Sequence, residues 1–225
     1  MSVLAPGRAK GASAVSQVLL LLAVLAAYGS NFWPGRVLLG AGMRALGNPQ
    51  YQGFVGIFLP HLLLYSTLTA LACALLWAMF ARSGALPSPD LGNLRRATVP
   101  GIIGGLLALA MTLGVVAAVF PAGMIHWVPP DPWKIAGNVF SNFFEEFIYR
   151  GFVLVALRQV VGFWPAALIS SAMWAFTHTQ YPLVLQACIL LTGIGFCWLA
   201  RYAQSLWAPY IAHEVLDAIG DSLIG

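Results

Sequence analysis

The chain has 225 residues, of which 60% are hydrophobic and only 8% charged, and its mean hydropathy is +0.83. Soluble domains contain about 25% charged residues, so this composition excludes an ordinary soluble domain and predicts a polytopic membrane protein. The net charge of +4 is spread along the chain. There is no basic cluster and no interleaving of basic and aromatic residues, which argues against a nucleic-acid-binding protein.

The first part of the chain predicts membrane spans of unassigned role. Three spans are expected, at residues 14–33, 53–80 and about 100–120. The first is interpreted as a retained span, because Tyr28-Gly29-Ser30 is a poor signal-peptide cleavage site. Trp77 is a candidate interfacial anchor near the end of the second span. Residues 35–52 and 81–98 are interpreted as a linker and a loop, and Gly101 with Gly105 gives the third span a small-residue face for close helix packing.

The remainder of the chain predicts four further helices. Asp131 is a candidate N-cap with Pro132 at the first helical position, and Gly162 is a candidate stop for a helix running to about Val161. The other three helices are expected to begin at Pro165, Pro182 and Ser205, the last ending at Gly220. The fold class is therefore an all-α transmembrane bundle of about seven spans, divided into residues 1–130 and a four-helix core at 131–225.

Basic residues predict how the bundle is oriented, because cytoplasmic loops carry an excess of Lys and Arg. An N-terminus in the cytoplasm leaves Arg36, Arg44 and Lys134 outside. It places the larger group inside: Arg8, Lys10, Arg82, Arg95, Arg96, Arg158 and Arg201. We therefore expect a multi-pass protein of a bacterial inner membrane with a cytoplasmic N-terminus. Cys73, Cys188 and Cys197 lie in apolar runs without a CxxC pattern and are predicted to be reduced core residues.

The decamer 141–150, SNFFEEFIYR, places three ionisable side chains in an apolar helix. Charged groups within a membrane are costly and indicate a functional site by default. Glu146 and Arg150 are four residues apart and can pair on one face, whereas Glu145 points about 100° away and is free to act as a base. A purely structural ion pair is the alternative.

Two histidines on later helices favour the catalytic interpretation. If the helix of Glu145 and the helix containing His178 run in opposite directions, the two side chains approach one depth, and His213 reaches a similar level. His213 and Asp217 are four apart on one face. This set can activate water and stabilise an oxyanion in a dry site. His61 and His126 are instead interpreted as structural.

These residues resemble the three motifs of the CPBP family, the CAAX prenyl proteases and bacteriocin-processing (Abi-type) membrane proteases. The motifs are Glu145-Glu146-x-x-x-Arg150, an aromatic-x-x-x-His that ends at His178, and His213-x-x-x-Asp217. The resemblance covers roughly residues 132–222, the four-helix core, and matches in order and helix placement. The first three spans match no family that we can name.

The resemblance implies an intramembrane endopeptidase of the glutamic type that needs no covalent intermediate. We predict that no cofactor or metal is required, because Glu145 with two histidines can polarise water without one. Glu145 would activate water together with His178, and Glu146 with Arg150 would complete the first motif. His213 and Asp217 would lie at the oxyanion. The implied partners are the bilayer and a membrane-anchored or prenylated protein or peptide substrate, with no nucleic acid.

The chain departs from the family pattern at two positions. The second motif usually has phenylalanine where this chain has Trp174, which we expect to affect packing. The third often ends in asparagine where this chain has Asp217. A carboxylate donates a hydrogen bond only when protonated, so Asp217 either donates in that form or stays ionised and orients His213. We expect the donor role, by analogy with asparagine.

Three other functions remain open from the residues alone. His178, His213 and Asp217 could form a two-histidine, one-carboxylate metal site, although residues 213–217, HEVLD, lack the final histidine of HExxH. A rhomboid-like serine protease is disfavoured because Ser170-Ser171-Ala172 lacks the Gly-x-Ser-x context. The third is a transporter or non-catalytic scaffold, in which the Glu/Arg/His network would relay protons or hold helices together.

Overall fold

The computed structural model describes residues 14–32, 67–87, 90–121 and 123–223, and this part of the chain is helical without a β-strand. The α-helices are α1 (Ala14–Phe32), α2 (Thr67–Arg82), α3 (Leu94–Val119), α4 (Pro132–Glu146), α5 (Leu154–Val161), α6 (Phe163–Thr177), α7 (Leu183–Ala203) and α8 (Trp207–Gly220). A π-helix, Phe147–Val153, joins α4 to α5. The all-α prediction is confirmed.

Two of these helices are long and apolar enough to cross a membrane, namely Leu94–Val119 and Leu183–Ala203. Helix α3 exposes much of its apolar surface, including Ile103 and Leu107, as expected of a helix that faces lipid. Shorter apolar stretches occur in α1 and α2. The predicted linker 35–52 and His61 lie outside the described residues, as does the beginning of the second predicted span.

The chain divides into two compact units. The first contains α3, α6, α7 and α8, with α3 packed on α8 and α7, and α6 and α8 each packed on α7. The second contains α1, α2, α4, the π-helix and α5, with α2 packed on α1, α4 and the π-helix. The division at residue 131 into an N-terminal part and a catalytic core stays a prediction.

Several helix boundaries agree with those predicted from the sequence. The Asp131 side chain caps α4 by accepting from the backbone N–H groups of Trp133 and Lys134, with Pro132 in the first turn. Gly162 ends α5 with a φ of 82°, a left-handed value that favours glycine. Pro182 precedes α7, and α8 ends at Gly220 as predicted.

The predicted start of the third span was wrong by about six residues. Helix α3 begins at Leu94 because the side chain of Asn93 accepts a hydrogen bond from the backbone N–H of Arg96 and caps the helix. Pro100 therefore lies inside α3. Proline lacks the N–H of the helical ladder, but prolines are tolerated within membrane helices.

Helix α6 begins and ends earlier than predicted. It starts at Phe163, directly after Gly162, and Pro165 occupies its first turn, where a missing N–H costs little. It ends at Thr177, so the prediction that His178 lies within this helix was wrong by one residue. The backbone turns there, with the His178 N–H donating to the carbonyl of Ala175 at 3.0 Å.

Trp77 is not an interfacial anchor. Its side chain is buried, its Nε1 donates to the carbonyl of Pro87 at 2.8 Å, and its ring lies 5.7 Å from that of Phe147 in the π-helix. That prediction was wrong because the indole packs within its own unit. Cys73, Cys188 and Cys197 are buried and none of the three forms a disulfide, which confirms their predicted role as reduced core residues.

Candidate active site

The first motif lies where α4 passes into the π-helix. The Nη1 of Arg150 lies 3.0 Å from Oε1 of Glu146, and both side chains are fully buried. The spacing of four residues thus forms the predicted ion pair within the second unit. The hydrogen bond and the mutual neutralisation of the two charges offset part of the cost of burying them.

Glu145 lies in a different environment from its neighbour. Its side chain is half-buried whereas that of Glu146 has no exposure, as expected from the rotation of about 100° between adjacent helical residues. Glu146 is therefore the glutamate that is ion-paired with Arg150, and Glu145 is the more accessible carboxylate of the two.

The π-helix was missed by sequence reasoning. The N–H of Leu154 bonds to the carbonyl of Tyr149, five residues earlier, and Arg150 lies inside this π-helical turn. Such turns are rare and recur at functional sites. They depend on packing around the helix and leave no distinctive local sequence pattern.

A buried polar stripe on α4 was also missed as part of the site. Asn138, Ser141 and Asn142 are buried, and they precede Glu145 and Glu146 at intervals of three and four residues. They therefore share one side of the helix with the glutamates. The signal was present in the sequence as polar residues recurring at helical spacing.

The second and third motifs meet in the first unit. The indole of Trp174 is buried, and both imidazoles lie edge-on to it, His178 at 5.3 Å and His213 at 5.2 Å between ring centroids. The ring of Phe196 on α7 lies 5.8 Å from that of His213. The aromatic residue of the second motif thus contacts both histidines, in line with the packing role predicted for Trp174.

His213 is buried and Asp217 is partly exposed. The Nε2 of His213 lies 3.6 Å from Oδ2 of Asp217, which is an ion-pair distance when the imidazole is protonated but too long for a good hydrogen bond. The pair forms one turn apart on α8, as its spacing predicts. The geometry is compatible with either role of Asp217.

His178 is held by its ring edge. Its Nδ1 lies 2.9 Å from the carbonyl oxygen of Trp174 and 3.2 Å from the hydroxyl of Thr177. Because a carbonyl oxygen can only accept, Nδ1 carries the proton in this contact. The other nitrogen, Nε2, is then the one able to accept a proton, as a histidine acting on water requires.

The remaining sequence-predicted residues have separate positions. His126 is in a loop, where its Nδ1 lies 2.8 Å from the carbonyl oxygen of Gly123. Its backbone N–H donates to the backbone carbonyl of Leu223. Among the described residues, no three His, Cys, Asp or Glu side chains are grouped to hold a metal ion. The set His178, His213 and Asp217 is therefore not assembled as a metal centre in the structure.

Helical architecture and apolar composition together define a helical membrane protein. Residues 131–219 match the family model of the Rce1-like type II CAAX prenyl endopeptidases, and this segment contains all six candidate residues. The resemblance to the CPBP family is confirmed over this segment.

A curated protein gives a second comparison. The "Putative membrane peptidase YdiL" of Bacillus subtilis (strain 168) is 29% identical over 85 residues, which is 37% of this chain and 33% of that protein. The matched region thus spans a third of the length of this relative. No solved structure matches the chain significantly.

Proposed function

We propose that the protein is an intramembrane endopeptidase that hydrolyses a peptide bond of a membrane-associated protein or peptide. The observation that carries the proposal is the match of residues 131–219 to the type II CAAX prenyl endopeptidases. The matched segment contains the residues of all three predicted motifs. A scaffold or transporter could retain the helices but would not require a base, two imidazoles and a carboxylate in this sequence pattern.

In the proposed mechanism, Glu145 is the general base that removes a proton from water, and His178 acts on the same water through its Nε2. Glu145 is suited to this role because it is the half-buried glutamate, whereas Glu146 is neutralised by Arg150. Positioned acid–base groups typically contribute about 10²–10⁴-fold to the rate. No covalent intermediate is needed, since water itself attacks the carbonyl carbon.

His213 and Asp217 are proposed to stabilise the oxyanion of the tetrahedral intermediate. Preorganised donors aimed at a developing negative charge act strongly where water is excluded. The buried position of His213, enclosed by Trp174 and Phe196, supports this role. The proposed substrates are prenylated or otherwise membrane-anchored tails, because such segments present an extended backbone at the membrane.

The proposal is tested with Glu145→Gln. The amide has nearly the same shape but cannot accept the proton of water as a carboxylate does, so we expect a fall in turnover of at least about 10²-fold. The assay follows cleavage of membrane-anchored peptide libraries in proteoliposomes by mass spectrometry. If the wild-type protein cleaves the peptides and Glu145→Gln has nearly the same turnover, the glutamic mechanism is rejected.

A further inference from the structure

Thr177 lies beside the second motif but belongs to none of the three. It is the last residue of α6, and its hydroxyl donates to the carbonyl of Trp174 at 2.6 Å. The same hydroxyl oxygen lies 3.2 Å from Nδ1 of His178. The Thr177 hydroxyl is therefore a polar group at the edge of the His178 ring that has no role in the proposed mechanism.

The direction of these hydrogen bonds determines the histidine tautomer. Since the Thr177 hydroxyl proton is directed at the Trp174 carbonyl, the hydroxyl oxygen presents a lone pair to Nδ1. The carbonyl oxygen, 2.9 Å from Nδ1, is also an acceptor. Two acceptors at one nitrogen favour the tautomer with the proton on Nδ1 and the lone pair on Nε2.

Packing fixes the faces of the same ring independently of Thr177. The Trp174 ring lies edge-on at 5.3 Å, and the Tyr181 ring is stacked at 6.2 Å with an interplanar angle of 13°. The backbone N–H of Tyr181 also donates to the carbonyl of His178. Removing the Thr177 hydroxyl thus changes the polar edge of the imidazole and leaves the packing on its faces in place.

We propose that Thr177 is a positioning residue that, as a second acceptor beside the Trp174 carbonyl, helps to hold His178 as the Nδ1–H tautomer, so that Nε2 is the nitrogen available to accept a proton. The inference rests on the proposed function for its effect on rate, but its effect on the tautomer does not depend on activity. Thr177 does not contact substrate in this scheme. It acts only through His178.

The test compares Thr177→Val, which keeps the β-branched shape but removes the hydroxyl, with Thr177→Ser, which keeps the hydroxyl. In full-length protein labelled with ¹⁵N-histidine, at about pH 8 where ordinary histidines are neutral, the His178 nitrogen shifts report the tautomer populations. His178→Gln assigns the signals. We expect the valine variant to move toward the Nε2–H form and the serine variant to retain the wild-type shifts.

Kinetics provide the second measurement. We expect Thr177→Val to lower kcat about tenfold with little change in KM, since the energy of one hydrogen bond is lost from the active tautomer. Thr177→Ser should restore kcat. The control is Thr98→Val, which removes a hydroxyl that donates to the carbonyl of Leu94 on α3 and should change neither measurement.

The two proposals fail in different ways. Unchanged His178 shifts in Thr177→Val would overturn the positioning role, whether or not the protein cleaves peptides. A shift in the tautomer populations without any cleavage by the wild-type protein would support the positioning role and reject the protease function. Wild-type kcat in Thr177→Val, together with normal cleavage, would likewise overturn the inference.

Discussion

Glu145 and Glu146 are adjacent in sequence and chemically identical, but the helix gives them different surroundings. Glu146 is fully buried and paired with Arg150 at 3.0 Å, while Glu145 is half-buried. A buried charge whose partner is removed becomes strongly destabilising. The same Glu→Gln change should therefore affect mainly activity at one position and stability as well at the other.

Glu146→Gln is predicted to destabilise the folded protein. The change removes the negative charge that neutralises Arg150 in a site without exposure, a loss of about 3–5 kcal/mol for a broken buried pair. Folded yield and Tm in detergent should fall together with activity. Glu145→Gln is the matched control and should keep the wild-type Tm; an unchanged Tm in Glu146→Gln would contradict the structural role of the pair.

Asp217→Asn separates the two roles of Asp217. If Asp217 donates to the oxyanion, the amide donates at every pH, and the variant should keep activity within a few-fold and extend it to higher pH. If Asp217 orients His213, from which it lies 3.6 Å away, the amide favours the wrong tautomer and activity should fall by about 10⁴-fold, as in serine-protease triads.

The measurement is the pH–rate profile of Asp217→Asn against the wild-type protein. We expect the profile of a donor, by analogy with the asparagine that the family often has here. A uniform loss of activity at every pH would reject the donor role and assign Asp217 to the orientation of His213.

At the scale of helices, a glycine of α3 determines how closely α8 packs against that helix. A Cβ added to Gly105 would lie 2.6 Å from the carbonyl oxygen of Ala212 and 2.7 Å from Cβ of Val215. Ala212 immediately precedes His213. The small-residue face predicted on the third span therefore packs against the helix that carries the third motif, although α3 lies outside the matched segment 131–219.

Gly105→Ala is predicted to lower kcat by about 10–100-fold, because a side chain at this position pushes α8 and His213 away, and misplacement by about 1 Å can cost 10² in rate. Gly114→Ala on the same helix is the matched control, since its Cβ would have open space. Gly104→Ala should lower kcat by an intermediate amount, because the added Cβ meets only the flexible end of the Leu199 side chain. Equal kcat in Gly105→Ala and Gly114→Ala would contradict the prediction.

Helix ends were predictable where a local cap determines them. Asp131 and Gly162 set the limits of α4 and α5 through a side-chain cap and a left-handed backbone. The π-helix between them was not predictable, because its i→i−5 bonds depend on tertiary packing. The start of α6 was predicted too late because Pro165 fits its first turn. His178 falls just past the end of α6 because the backbone turns there, with the His178 N–H donating to the carbonyl of Ala175.

For the whole molecule, composition and motifs predicted the class of protein and the candidate residues, but not how the helices that carry them are arranged. The motifs identified six residues, and the structure shows the Glu146/Arg150 pair in one unit and the Trp174, His178 and His213 cluster in the other. The stripe at Asn138, Ser141 and Asn142 was visible only as a periodicity. The contact of Thr177 with His178 was not predictable, because it forms at the turn that ends α6. The cytoplasmic N-terminus and the number of spans stay predictions.

The whole protein is predicted to act without a metal ion. In the proposed mechanism Glu145 and two histidines polarise water by proton transfer, whereas a metal centre would need a set of ligands. Residues 213–217, HEVLD, lack the second histidine of HExxH.

Elemental analysis of purified, active protein should therefore find no stoichiometric zinc, and chelators should leave turnover unchanged. The matched control is a zinc peptidase treated in the same detergent, which must lose activity with the chelator. Activity that disappears with the chelator and returns with added zinc would instead favour the set His178, His213 and Asp217 as ligands, because thiolate-free sites of this kind bind through imidazole and carboxylate. In that case His178→Ala and His213→Ala should each lower zinc content as well as turnover, whereas under the metal-free mechanism they lower turnover alone.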